Sequence, residues 1–273
     1  MRPHSATAFA LTRRAALLAA ALALALAGCA GIGAKPAPKE INVMTSGGFA
    51  AADDELRPAY ERLSGDTVKT AYGSSMGGAT DSIPSRMSRG EPVDVVILAR
   101  PALDALVAQG KVVPGSQVDL VHSLIGFSVK KGAPKPDIST VEALRRTLLA
   151  APSIAYSASA SGTYYETEML KNLGIEAEVK PKSKRILSER VGTIVARGEA
   201  ALGMQQVSEL LPIAGTDFVG VLPPEVQRMT VFSAGIATTS KEPEAAKKMI
   251  AYFISPAAEP VIKKSGLEPA RAP

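Results

Sequence analysis

Val93-Asp94-Val95-Val96-Ile97-Leu98 is the run that decides the architecture. Its residues are almost continuously apolar and mostly β-branched. No face is left for water, as in a strand of a parallel sheet covered on both sides. Pro101 follows, and a helical spacing of apolar residues runs on to Gln109. Proline suits the first turn of a helix, where its missing N–H is not needed.

The same strand–loop–helix unit recurs on either side of this run. Upstream, Ile41 to Thr45 reads as a strand, Ser46-Gly47-Gly48 as a turn, and Phe49 to Leu63 as a helix stopped by Ser64-Gly65. Thr67 to Tyr72 is a second strand, and the loop from Gly73 to Gly78 opens a helix running to Ser88. Downstream, strands are predicted at 124–129, 153–156, 177–180, 201–205, 218–222 and 230–238. Helices are predicted at 140–150, 164–173, 189–196, 243–254 and 257–264. This alternation over the whole length predicts an α/β architecture of mostly parallel sheets flanked by helices.

Composition narrows the function. The chain has 273 residues, 46% hydrophobic and 21% charged, enough apolar material for one large or two small domains. Cys29 is the sole cysteine, which excludes an internal disulfide and a cysteine metal cluster. Two histidines, His4 and His122, poorly supply a zinc site or a serine–histidine triad. There is no tryptophan, so stacking platforms are scarce. The net charge is +5, but Arg2, Arg13 and Arg14 lie in residues 1–28, which hold no acid. Without that segment no dense basic stripe remains, and nucleic acid is not an expected partner.

The N-terminus reads as an export signal. Arg13-Arg14 precedes an apolar run from Ala15 to Ala27, shorter than the ~20 residues of a membrane span. Leu26-Ala27-Gly28-Cys29 resembles the bacterial lipobox. That resemblance implies a signal peptide over 1–28, lipid on the Cys29 sulfur, and anchoring to a bacterial membrane in the periplasm. Thr12-Arg13-Arg14 leaves general or twin-arginine export open. Residues 29–39, rich in Gly, Ala, Pro and Lys, read as a flexible tether.

Four loops share a composition and a position, each after a strand and before a helix. They are Ser46-Gly47-Gly48, Ser74-Ser75, Ser159-Ala160-Ser161-Gly162 and Gln205-Gln206-Val207-Ser208. In open α/β sheets ligands sit beyond the carboxyl ends of the strands. Helix starts there offer unpaired N–H groups and a partial positive charge, which suit an anion. Any one of these loops also reads as an ordinary helix cap. None matches a Walker loop or a dinucleotide fingerprint.

With these stretches in order, the chain resembles the molybdate-type periplasmic solute-binding proteins of ABC importers. The resemblance rests on Ile41 to Ser46, Ala71-Tyr72-Gly73-Ser74-Ser75, Arg89 to Ile97, Ala160-Ser161-Gly162-Thr163-Tyr164, Arg197 to Gly203, and Lys241 to Ala246 through Leu267-Glu268-Pro269. It implies a two-lobed type II periplasmic binding protein fold. Lobe 1 would span 40–122 plus 223–273 and lobe 2 123–222, with crossing segments near Leu124 and Phe218. It also implies a small anion in the cleft, importer membrane subunits as partners, a monomer, and neither cofactor nor metal. By position, the family's ligand contacts fall on Ser46, Ser75, Ser161 and the segment Ser188 to Arg190. Gln206 stands where the family has a tyrosine. Gly47 and Gly48 widen the first loop. Arg190 can grip a carboxylate in two-point fashion, or else pair with Glu189 as a solvated helix charge. These departures favour an organic di- or tricarboxylate over molybdate.

A second reading belongs to the same scaffold. Some exported proteins resembling these binders interconvert cis- and trans-aconitate, which needs one group to move a proton along an allylic system. Candidates are Tyr164, Tyr165, Glu166 and Glu209, with the Ser75 and Ser161 hydroxyls. Each has a structural alternative: the tyrosines can pack and Glu166 is a favourable first-turn acid. His122 lies near the expected hinge, away from the loops.

Overall fold

The structure is a computed structural model that describes residues 37–270. The signal segment, Cys29 and most of the tether lie outside the described residues. Two sheets organise the remainder. The first is built from β1 (Glu40–Ser46), β2 (Thr67–Gly73), β3 (Val95–Ala99), β4 (Val118–Ser123), β10 (Thr230–Ile236) and β11 (Leu267–Pro269), in the order β11-β4-β10-β3-β1-β2. The second holds β5 (Ile125–Lys130), β6 (Ile154–Ser157), β7 (Ser183–Ile186), β8 (Leu202–Gln206) and β9 (Thr216–Val221), in the order β7-β6-β8-β5-β9. Each has a parallel core of three strands, β2-β1-β3 and β7-β6-β8. β10 and β5 then run antiparallel to those cores. Both arrive directly from the other sheet, and so enter from the cleft side rather than after a crossover helix.

Burial explains the opening run. In β3, Val95 and Ile97 face a core shared with α1 (Gly47–Ser64) and α10 (Pro243–Phe253), around Phe49, Phe232 and Phe253. Val96 and Leu98 face the opposite core, with Ile83 of α2 (Ile83–Ser88) and Leu103 and Leu106 of α3 (Arg100–Ala108). All five β3 residues are buried. Each of the four larger side chains, Val95 to Leu98, contributes about 1.5–3 kcal/mol by leaving water. In the second sheet, Ile154 and Tyr156 of β6 face a core with Phe127, Tyr165 and Met204. Ala155 faces Val191 and Val195 of α8 (Val191–Ala196).

Several sequence expectations change here. Residues 177–180, read as a strand, fall in α7 (Glu176–Val179) and the turn after it. The strand at this edge is β7, whose Lys184 and Arg185 are exposed. β4 and β11 had no counterpart in the prediction. The helix expected from Tyr164 begins earlier, as α5 (Ala160–Tyr164), and passes through a wide turn of π type at Tyr165–Met169 into α6 (Leu170–Asn172). Phe218 lies within β9, opposite Ser128. The second crossing is therefore residues 222–229, and most of it is fastened to the second sheet. Gln227 accepts from the Ile125 N–H at 3.0 Å and donates to the Ile125 carbonyl at 3.0 Å, and Tyr164 donates to the Val226 carbonyl at 2.8 Å. The first crossing is the single residue Leu124 between β4 and β5.

Candidate active site

The carboxyl ends of β1, β2, β6 and β8 converge on a cavity of about 210 Å³ between the two sheets. That is smaller than the ~300–1,000 Å³ typical of sites for drug-sized ligands, and suits a small acid. Its wall includes Gly47, Ser74, Ser159, Arg190, Gln205 and Glu209, together with Tyr72, Asp81, Ser188 and Glu189.

The first wall is set by the start of α1. Gly47 opens that helix directly after β1, and an added Cβ would lie 2.0 Å from Glu209 Oε1. Only a hydrogen at that position lets the carboxyl of the second lobe rest on the first. The lobes also meet through hydrogen bonds. The Ser75 N–H donates to Ser159 Oγ at 3.3 Å, Ser188 to Asp81 at 3.0 Å, and Ser208 to the Gly48 carbonyl at 2.7 Å.

Glu209 sits in the four-residue helix α9 (Val207–Leu210) and is 7% exposed. Burial pushes its carboxyl up to about 7, although the nearby Arg190 charge and a hydrogen bond from Gln205 both pull it down. Gln205 Nε2 donates to Glu209 Oε1 at 2.8 Å, while Gln205 Oε1 accepts the Val191 N–H at 3.1 Å. Arg190 immediately precedes α8 and its side chain makes no hydrogen bond or ion pair with the described residues. The alternative in which Glu189 neutralises it does not occur, because Glu189 pairs with Arg197 instead. The cavity thus holds a carboxyl group pushed up to about 7 and a guanidinium that, among the described residues, makes no ion pair.

The other singled-out residues surround this cavity or leave it. Ser46 is buried and its hydroxyl has no partner among the described residues. Gly48 packs against the Phe232 ring. The Ser75 hydroxyl accepts the Ala99 N–H at 3.0 Å. Ser161 shares a hydrogen bond with Ser157 at 3.2 Å, and Gly162 is pressed against the Ser157 carbonyl. Gln206 points to Thr230, donating at 2.9 Å, while its oxygen is buried and has no partner among the described residues. Tyr164 is turned to the second crossing, with the Arg228 guanidinium 4.6 Å over its ring. Tyr165 bonds Ser183 at 2.7 Å, and Glu166 lies 3.7 Å from Arg185. His122 lines a separate hollow beside Asp119 and Glu259. None of these last four lines the cavity.

Tyr72 and Asp81 were not anticipated from sequence. Tyr72 is the last residue but one of β2, and its hydroxyl donates to Asp54. The one signal for either was position: both border the Ser74-Ser75 loop. A larger hollow of about 740 Å³ opens at the opposite ends of the strands, beside Glu40, Asn42 and Asp94. There Asp94 is occupied structurally, accepting from Asn42, Ser240, Lys241 and Glu242.

A family model described as bacterial extracellular solute-binding protein matches residues 41–268. The chain belongs to that family. Among its relatives, the chain is 43% identical over 232 residues to an aconitate isomerase of Pseudomonas sp., covering 85% of this chain and 88% of that one. It is 26% identical over 265 residues to the molybdate-binding protein ModA of Rhodobacter capsulatus, covering 95% and 98%. The periplasmic molybdate-binding protein of Azotobacter vinelandii superposes with a TM-score of 0.68 at 21% identity, over 85% of this chain and 99% of that one. A periplasmic thiamin-binding protein does so at 0.64 and 18%, over 86% and 84%. These solved structures share the two-lobed type II architecture read from the sequence.

Proposed function

We propose that this protein interconverts cis- and trans-aconitate by moving a proton along the substrate's allylic system. The observation that carries the reading is Glu209: a buried carboxyl held near pKa 7 in the cavity that also holds the unpaired Arg190. A base poised near the working pH is best matched to proton abstraction and return. The Pseudomonas relative supports the choice of substrate.

The chemistry needs little else. Glu209 takes a proton from the methylene carbon, and the electron pair left behind spreads over the allylic carbons and their carboxylates. Arg190, with the hydroxyl of Ser159, which accepts from the Ser75 N–H and keeps its own proton to donate, holds the carboxylates and balances the added charge. The proton then returns to the former vinylic carbon and the double bond moves one position along. Cis or trans geometry follows from how the carbon chain is held when the new double bond forms. Gly47 and Gln205 keep the base in place. Of the residues singled out from sequence, Ser46, Gly48, Ser75, Ser161, Gly162 and Gln206 support the cavity from behind, and Tyr164 and Glu166 serve the fold.

The reading includes export by the segment 1–28 and a lipid tether at Cys29 in the periplasm. The second reading is a binding protein that delivers a di- or tricarboxylate to an ABC importer. The relationship to ModA over 95% of the chain favours it. One experiment separates the two. Purified protein is incubated with each aconitate isomer and followed by ultraviolet absorbance, beside Glu209→Gln. Interconversion that falls by roughly 10²–10⁴-fold in the variant supports the isomerase. Calorimetric binding with no conversion refutes it and leaves the carrier.

A further inference from the structure

We propose that Gln205 is a positioning residue whose side-chain amide dictates which oxygen of Glu209 carries the exchangeable proton, and fixes that carboxyl relative to the turn presenting Arg190. The proposal rests on the reading of Glu209 as the base.

The argument begins with the two ends of one amide. Gln205 is 3% exposed, so both ends need partners inside the protein. Its oxygen takes the Val191 N–H at 3.1 Å. A backbone N–H can be met only by an acceptor, which forces the NH₂ end toward Glu209. There it donates to Oε1 at 2.8 Å. An NH₂ group donates whether Glu209 is ionised or neutral. Oε1 therefore remains an acceptor in both states, and the proton of the neutral form resides on Oε2. Gly47 enforces the same choice, since Oε1 is the atom nearest its Cα hydrogen. Oε2 makes no hydrogen bond among the described residues and is the oxygen left for substrate.

The charged surroundings leave Gln205 a clear part. Arg190 acts on Glu209 from the turn before α8, and α8 itself presents only uncharged residues. On α1 the nearby residues are Gly47 and Ala50; Asp53, a turn further on, is buried against Arg57. The adjoining ends of β5 and β8 carry Ile125, Gly126 and Gln206, all uncharged. Asp217 of β9 accepts the Gly132 N–H at the far end of its strand. Around the cavity Asp81 accepts from Ser188, Glu189 pairs with Arg197, and Tyr72 donates to Asp54. Val191, the acceptor's donor, follows Arg190 directly, so one amide spans the base and the cation.

The test uses Gln205→Met, which keeps side-chain length and removes both polar ends, and Gln205→Asn, which keeps the amide on a shorter stem. Two quantities are read in the full chain. One is the pH profile of kcat/KM for aconitate interconversion. The other is the carbon-13 titration of the Glu209 carboxyl in glutamate-labelled protein, assigned by its loss in Glu209→Gln. Removing a donor to the ionised form raises the acidic limb and the carbon-13 midpoint together, by about one pH unit in Gln205→Met. Gln205→Asn falls between that variant and the wild type. If the rate drops while both midpoints stay put in the two variants, Gln205 merely supports the fold and the proposal is overturned. A wild-type protein that converts neither isomer sinks the base assignment alone, because the carbon-13 midpoint still decides whether Gln205 governs the Glu209 proton.

Discussion

Replacing Gly47 with alanine tests the site without removing any polar group from it. The new Cβ would lie 2.0 Å from Glu209 Oε1 and 2.9 Å from Cδ, whereas ordinary contact begins at 3.4 Å. The oxygen must therefore retreat by about 1.4 Å. The helix itself has no objection, since Gly47 does not adopt a positive φ. Alanine even adds up to about 1 kcal/mol of helix propensity. The fold should survive, with a melting temperature within about 4 °C of the wild type. The base is then misplaced by more than an ångström, an error that costs on the order of 10²-fold in rate. Steady-state kcat/KM with aconitate, measured beside a thermal melt, reads both quantities. An alanine variant that melts normally and turns over at the wild-type rate would refute the claim that Gly47 seats the base.

Four further outcomes follow from the structure. Glu209 has a folded-state pKa of about 7 against 4.5 for the free group, so the folded protein binds the extra proton and stability falls as pH rises between those values; Glu209→Gln should stabilise the protein at pH 8 by up to roughly 3 kcal/mol and hardly at pH 4, as thermal melts at the two pH values will show. Asp53, raised to about 6 chiefly by burial, works in the same direction, so Asp53→Asn should also gain more at pH 8 than at pH 4. Arg190→Met should weaken tricarboxylate binding by about tenfold or more in calorimetry with little change in melting temperature, because the guanidinium has no structural partner to lose. Asp94→Ala removes the acceptor joining β1 and β3 to the start of α10 and should cost about 3 kcal/mol in urea unfolding, leaving ligand affinity unchanged in what folds.

The α/β alternation was legible because buried strands such as β3 announce themselves by composition. β7 was not, because an edge strand guarded by Lys184 and Arg185 carries no alternation to read. Residues 177–180 were misread because the four-residue helix Glu176–Val179 holds barely one period of any pattern. At the cavity, the Ser- and Gly-rich loops were visible as a set, yet which member of each loop faces inward was not. Gln205 and Gln206 show why. Successive strand residues point to opposite faces, so a single step of register decides which amide meets Glu209 and which meets Thr230. Tyr164 and Glu166 failed as cavity residues for a related reason: the wide turn at Tyr165–Met169 reorients the side chains around it. The closeness of Gly47 to Glu209, 162 positions apart in the chain, has no local signature at all.

Where the second crossing is fastened also decides where the molecule can bend. Gln227 is bound to Ile125, Tyr164 to Val226, and Arg228 stands on Tyr164 and pairs with Glu168. Residues 222–228 must then travel as cargo of the second lobe. The rotation axis is left to run through Leu124 and Met229, so a spectroscopic label at the exposed Glu225 would keep its distance to Lys171 through every opening while its distance to Lys248 changes.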